Sequence, residues 1–586
     1  MNRLSLSTAL AMLVVLGGML VSTETSAQIG RTYYESPRKP MRAPMGGDVV
    51  FSARSAQAEA PRVAKEFYAN RIEWIYSNSA TYVDALKVKG FTVGLTLNAN
   101  PKMDDDGYAR SFDDIPVIAP WMKAWGVKWA TSASLKGTTT ILTEARKLIA
   151  SGADAIQFDD ADLQYSITKW SDGDFSPASL SGFQAYINRQ EISPIAIQAG
   201  LVPSSTENYK NYLIRSYGVK SSADYIHRKK TFPTTAIWER YLMSSVRDFH
   251  ISLKKLLATE KSRYTPLSFN IELLPQEQAL YIADLADYVI VESSDYDAAS
   301  ISMHLATARA VATGYVASLI PRDVAATRAA IAQHYALGVP VVVPWDMYMP
   351  DVKGMPQPRY VGRPEDFADI FQFVRENRVL LDYAEIPAIV VVAIPLASVD
   401  MPELRRVIGV LTQRAIPFAF ALSGGIFKTY SIEPSKLKGM AAVIRMGKST
   451  EFTTNDSKAI DGYGGSVVVA KDINEKWADV HSSVKISGGS GVTSNMMVAN
   501  KNTGVVALHL VANSVEDKSI SGTPLTVEVS RNVIPKNTMS AVLYSVGNRP
   551  KEIMLSETSD GISFSIPKPA VWSIVSFTPM NAVQVK

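Results

Sequence analysis

Short β-branched runs alternate with longer stretches whose apolar residues recur at helical spacing. The runs lie at 48–54 (DVVFSAR), 71–77 (RIEWIYS), 91–99 (FTVGLTLNA), 154–160 (DAIQFDD), 266–272 (PLSFNIE), 288–294 (YVIVESS), 315–322 (YVASLIPR) and 340–346 (PVVVPWD). Between them, Thr138–Ala150 places Ile141, Leu142, Ala145, Leu148 and Ile149 on one face, and Thr235–Leu257 does the same with Trp238, Tyr241, Leu242, Val246 and Phe249. Gln276–Leu285, Ala298–Ala312 and Val324–Leu337 follow the same rule. Helical spacing of this kind buries one stripe of each helix. Gly90, Gly152, Gly314 and Gly338 stand just before strands, where a helix C-terminus favours glycine. Strictly alternating strand and helix predicts an α/β architecture with a parallel sheet, and eight strands predict a closed (β/α)8 TIM barrel over residues 46–385. Two insertions, 101–132 after the third strand and 161–262 after the fourth, fall on the side where such barrels build their sites.

The pattern changes twice beyond the barrel. Residues 386–483 hold the runs 387–396, 417–425, 441–447 and 466–472 around an amphipathic stretch at 400–415, predicting a flavodoxin-like α/β layer. Ser423-Gly424-Gly425 lacks the remainder of a GxGxxG fingerprint, so no nucleotide site is expected there. Residues 484–586 contain short strands at 505–515, 524–531, 540–546, 562–566 and 571–579 separated by polar turns, which predicts a C-terminal β-sandwich, a module that binds glycans or packs against a barrel, with packing the expected role. At the other end, Arg3, the apolar stretch Leu10–Val21 and the small residues Thr25-Ser26-Ala27 read as a signal peptide, 1–27, followed by a proline- and arginine-containing leader at 28–45.

Composition narrows the setting. The chain has 586 residues and no cysteine, so disulfides, thiolate metal sites and lipoprotein acylation are excluded. Export without disulfides points to a periplasmic or extracellular location in a bacterium. With 60 basic and 56 acidic residues and no basic block, nucleic acid is not expected as a partner. No other run is long enough to cross a bilayer, so no membrane association is expected after signal cleavage. Six histidines without HxH or HExxH spacing give no zinc centre, and no cofactor is expected. Asp104-Asp105-Asp106 reads as a solvated loop charge in preference to a calcium site, and no GxSxG elbow is present.

In a parallel barrel, ligands meet residues at the carboxyl ends of the strands. Those ends supply Asp159 and Asp160 on strand four, Asn270 and Glu272 on strand five, Glu292 on strand six, and Trp345 and Asp346 on strand eight. Two-residue alternation puts Gln157 with Asp159 and Ile290 with Glu292 on inward faces. Glu73 shares a face with Arg71 and is expected to pair with it or with another buried cation. Two carboxyl groups flanking a glycosidic bond suffice to cleave it, one protonating the leaving oxygen and the other attacking or activating water. Crowded carboxyls also split their pKa values, so that one keeps its proton near neutrality. Trp74, Tyr76, Trp121, Tyr165, Trp170, Trp345 and Tyr348 are candidates to stack on sugar rings. Acids at strand ends also cap helices, the expected role of Asp295 and Asp323 and an alternative for Asp160 and Asp162.

The segment 152–187 (GADAIQFDDADLQY…GDFSPASLSGFQAYI) resembles the strand, paired acids and Phe-Ser-Pro helix start of glycoside-hydrolase-like barrel proteins. The order of barrel, α/β layer and β-sandwich is similar to the β-galactosidases of glycoside hydrolase family 42. That family carries catalytic glutamates after strands four and seven, whereas here the corresponding ends hold aspartates and Arg322. An acid after strand four with another after strand six looks more like the α-galactosidase-type clan of retaining enzymes. That resemblance makes Asp159 the nucleophile and Glu292 the acid/base, with glutamate in place of the clan's usual aspartate. Asp160, Glu272, Asp346, Trp345, Asn270 and Trp74 are then expected to hold a carbohydrate substrate. The competing readings are an inverting hydrolase and a non-catalytic glycan-binding or scaffold barrel. A homo-oligomer is expected by analogy with barrels that carry the extra α/β layer.

Overall fold

The computed structural model describes residues 43–54, 58–260, 264–345, 347–348, 359–382, 384–488, 491–500, 503–512, 524–535, 538 and 540–578. The expected signal peptide and Asp346 lie outside the described residues.

Seven parallel strands form one sheet in sequence order: β1 (Val50–Ser52), β2 (Arg71–Ile75), β3 (Thr92–Leu97), β4 (Ala155–Phe158), β5 (Leu267–Phe269), β6 (Tyr288–Ser293) and β7 (Gly314–Leu319). The sheet curls round. Val341 bridges Ala317 of β7, Val342 bridges Val50 of β1, and the amide of Val343 donates to the carbonyl of Val50 at 2.7 Å. The eighth apolar run thus serves as a short closing segment of a TIM-like barrel. Gly90, Gly152 and Gly338 adopt φ of 85°, 98° and 80° after their helices. Gly314 does not; Ala312, with φ 64°, takes the left-handed position after the helix Ala298–Ala310.

Val50, Trp74, Ala155, Tyr288, Ile290, Val316 and Val342 pack inside the ring, while the outward residues of the same strands join the large core beneath the helices. The lumen also holds a buried ion pair. Arg71 donates to Oε1 of Glu73 through Nε at 2.9 Å and Nη2 at 2.5 Å, and the Tyr288 hydroxyl donates to Oε2 at 2.6 Å. Burial alone would pull the Arg71 guanidinium down, but Glu73 beside it holds it above its ordinary value. Gly94 on β3 leaves room for this carboxylate: a Cβ there would sit 2.9 Å from Oε2 of Glu73. Because Glu73 is pinned by both partners, Gly94→Ala is expected to destabilise the barrel by about 1–3 kcal/mol, read as a lower denaturation midpoint.

The insertion after β4 is helical: Leu163–Trp170, Pro177–Ile187, Ser193–Gln198, Tyr209–Tyr217 and Ser222–Arg228, then the long helix Thr235–Thr259. Its core is aromatic, with Trp238 against Phe175, Phe183 and Tyr209 at centroid distances of 5.3, 4.9 and 4.9 Å. The Phe-Ser-Pro stretch is explained by local packing. Ser176 caps the helix by accepting from the amide of Ser179, Pro177 occupies the first turn, and buried Asp174 accepts from the amides of Arg110 and Ser176.

The next layer is a four-stranded parallel sheet ordered Phe418–Ser423, Val390–Pro395, Ala442–Arg445, Ser466–Val469, with the first two strands exchanged as in a flavodoxin-like order. Two antiparallel sheets follow and enclose a core that includes Leu508, Leu510, Val527, Phe564 and Val575. One of their strands, Val492–Asn500, goes unread in the sequence because its first residues are polar and half-buried. Trp572 packs against Phe373 and Tyr335, at 5.0 and 6.3 Å, seating the sandwich on the barrel helices. Among the described residues, no helix is long and apolar enough to cross a membrane.

Candidate active site

The ends of β1, β2, β4, β5 and β6 meet at one mouth. The Asp159 amide donates to the carbonyl of Leu97 at 2.9 Å, which fixes the backbone at the rim. Its carboxylate accepts from Asn270 Nδ2 at 2.8 Å through Oδ1 and from the Tyr76 hydroxyl through Oδ2. Tyr76 in turn accepts from Trp74 Nε1 at 2.8 Å. Burial first, and the Asp159 charge second, push the Tyr76 hydroxyl well above its ordinary value, so it remains a donor. The geometry depends on an irregularity in β2. Trp74 has φ 58° and the pairing with β3 slips between Ile72 and Ile75, which turns the indole inward. A non-glycine residue held there stores strain on the order of 1–3 kcal/mol, a feature that clusters at functional sites.

Arg54, at the end of β1, donates through Nη2 to Oε1 of Glu292 at 2.8 Å and lies 4.1 Å over the Trp74 ring. Its side chain is 9% exposed and that of Glu292 is 42% exposed. Burial opposes the guanidinium charge, but Glu292, Tyr76 and Asp159 together hold Arg54 above its ordinary value. One cation therefore senses both carboxylates, from β4 and from β6.

Asp160 has φ 54°, a left-handed conformation that aspartate and asparagine tolerate better than most residues. Its side chain makes no hydrogen bond to another described residue, so it does not cap the following helix. Burial first, then the charges of Asp159, Glu292 and Asp162, push its carboxyl well above the usual carboxylate range. Since the folded value is raised, the unfolded chain releases this proton first as pH climbs. The folded state therefore loses stability from the ordinary aspartate range up to the folded value. Asp160→Asn is expected to raise the melting temperature at pH 7, with the gain fading as pH falls from the raised folded value to the ordinary aspartate range; a scan across pH checks it.

The other candidates fall elsewhere. Glu272 is exposed and makes no side-chain hydrogen bond among the described residues, because β5 ends at Phe269. Trp345 is 8% exposed and stacks on Phe51 at 4.9 Å, so it belongs to the core outside the ring and presents no open face to a sugar. Trp74 is 1% exposed and carries Arg54 on its ring, so it organises the mouth and offers no free platform. Asp323 caps its helix by accepting from Ala326. Asp295 does not; Asp297 caps the helix Ala298–Ala310, and Asp295 pairs with His304. Asp104 and Asp105 pair with Lys136 and Lys128 at 2.8 and 2.5 Å. Among the described residues, no group of three or more ligand-type side chains could hold a metal.

Arg54 is the residue of the mouth that the sequence reading missed. It ends the first run, and a search for acids at strand ends passes over the cation that joins them. A cavity of about 400 Å³ opens beside Tyr76, lined by Asn78, Asn98, Asn100, Lys102 and Glu144. A larger crevice of about 900 Å³ lies between the barrel, the α/β layer and the sandwich. Its acids have structural partners: Asp297 is a helix cap and Asp479 accepts from Arg414 at 2.7 Å.

Fold and site together define a TIM-like barrel protein with an acid-rich mouth, extended by an α/β layer and an antiparallel β-sandwich. No protein-family model and no curated protein sequence matches the chain. Solved structures do share its fold. An α-L-fucosidase isoenzyme 2 from Paenibacillus thiaminolyticus is similar with a TM-score of 0.58 and 9% identity, covering 91% of this chain and 99% of the other. A β-galactosidase from the psychrophilic Marinomonas ef1 is similar with a TM-score of 0.53 and 10% identity, covering 91% and 100%.

Proposed function

We propose that the protein is a glycoside hydrolase that cleaves an oligo- or polysaccharide at the barrel mouth. The observation that carries this reading is the placement of Asp159 and Glu292 at the ends of β4 and β6, joined through Arg54, Tyr76 and Trp74. The two similar structures, a fucosidase and a β-galactosidase, support it at the level of fold. In the retaining mode, Asp159 attacks the anomeric carbon and Glu292 protonates the departing oxygen, then takes a proton from water. Asn270 and Tyr76 hold the Asp159 carboxylate for attack, since each donates to a different oxygen. Residues 1–27 are read as an export signal, which places the mature chain among polysaccharides outside the cytoplasm.

A second reading is favoured by Asp160, whose raised carboxyl is a ready proton carrier beside Asp159. In that reading Asp160 is the acid, and Glu292 with Arg54 binds the sugar. A screen of aryl glycosides and bacterial and plant polysaccharides tests the function. Glu292→Gln is expected to lose roughly 10²–10⁴-fold in kcat on natural glycosides, with much of it restored on aryl glycosides whose leaving groups need no proton. The same rescue in Asp160→Asn, with Glu292→Gln unrescued, would transfer the acid role to Asp160. The anomer first released, followed by NMR, separates retention from inversion.

A further inference from the structure

One buried histidine touches both segments that complete the mouth. His304 lies on the helix Ala298–Ala310 and its side chain is 6% exposed. Its Nδ1 is 2.5 Å from the carbonyl oxygen of Leu273, and its Nε2 is 2.9 Å from Oδ2 of Asp295. A carbonyl can only accept, so Nδ1 carries a proton. The hydrogen bond from His304 holds the Asp295 carboxyl below its usual range in spite of burial, so that group accepts too. The ring thus bridges a backbone carbonyl and a carboxylate through its two nitrogens.

Two further titratable groups pack close to the ring. The Tyr315 ring, from β7, lies 6.1 Å away, and burial raises its hydroxyl and keeps it neutral. His334, from the helix Val324–Ala336, is pulled down to about 4 by burial and is neutral as well; its Nδ1 lies 2.8 Å from the carbonyl of Ala330. Ser293 accepts from the amide of Asp295 at 3.0 Å and completes the turn after β6.

Leu273 stands three residues beyond Asn270, the donor to Asp159, and Asp295 stands three residues beyond Glu292. We propose that His304 is a positioning residue, a buried ring that ties the segment after β5 to the segment after β6 and so sets Asn270 and Asp159 relative to Glu292. Its effect on turnover rests on the reading of Asp159 and Glu292 as the reacting pair; the tie itself does not. Breaking it releases both segments at once, whereas a histidine that only filled space would loosen its own helix.

The test uses the full chain carrying His304→Gln, and Asp295→Asn as a second variant should the first fail to fold. Without substrate, amide hydrogen exchange in 270–274 and 293–297 is expected to quicken about tenfold, with β1 to β4 unchanged. On a glycoside that the wild type cleaves, kcat is expected to fall about tenfold with KM nearly constant. Unchanged exchange in both segments overturns the tie, whatever the activity. Faster exchange with unchanged kcat overturns the positioning role. A wild type that cleaves nothing counts against the glycosidase reading, and exchange then decides the tie alone.

Discussion

Asp159→Asn is expected to lower turnover roughly 10²–10⁴-fold on every substrate the wild type cleaves, the range typical of losing a positioned catalytic group. The amide has the carboxylate's shape but can neither attack an anomeric carbon nor take a proton. Its neighbours make the substitution informative. Tyr76 and Asn270 each donate to a different carboxylate oxygen, and an amide offers only one acceptor. The substituted side chain would satisfy one of them and turn its own N–H groups toward the other. That mismatch costs about 1–3 kcal/mol locally, far less than a barrel of this size needs to unfold. The expected result is therefore an intact fold, with a small drop in melting temperature and lost activity. Near-normal kcat on a confirmed substrate would remove Asp159 from the reacting pair.

Glu73→Gln should have the largest effect on stability. The substitution keeps the side-chain volume but leaves the Arg71 charge buried in the lumen without its anion. Removing one partner of such a pair costs about 3–5 kcal/mol, because the remaining charge has no water to solvate it. Tyr288 adds to the penalty, since its hydroxyl donates to the same carboxylate. Chemical denaturation should show a lower midpoint with an unaltered slope. A loss below about 1 kcal/mol would show that Arg71 finds another anion, and Asp48, whose field it already feels, is the candidate.

The eight apolar runs are legible because a barrel strand is buried on both faces, and the helices because one stripe of each is buried. Asp159 and Glu292 are legible for a related reason: acids that end an apolar run stand where a parallel barrel opens to solvent. The same reasoning misplaces Trp345. Position at the end of a run does not say which face a residue takes: Val342 packs inside the ring, while Val341, Val343 and Trp345 face outward, and the indole stacks on Phe51. It also misassigns Asp295, because capping is a local rule and the partner that claims this carboxylate, His304, arrives from the packed helix.

Periodicity by itself determines the order of layers, the direction of the strands and the end of the barrel at which acids gather, since these follow from which side chains must leave water. Tertiary structure alone decides which of those acids meet and in what state. Arg54 reaches Glu292 across 238 positions and Tyr76 reaches Asp159 across 83. The protonation of Asp160 depends on charges and burial that no local window contains. Burial is written along the chain as pattern, whereas the pairing of charges is a matter of distance, and distance exists only once the barrel has closed.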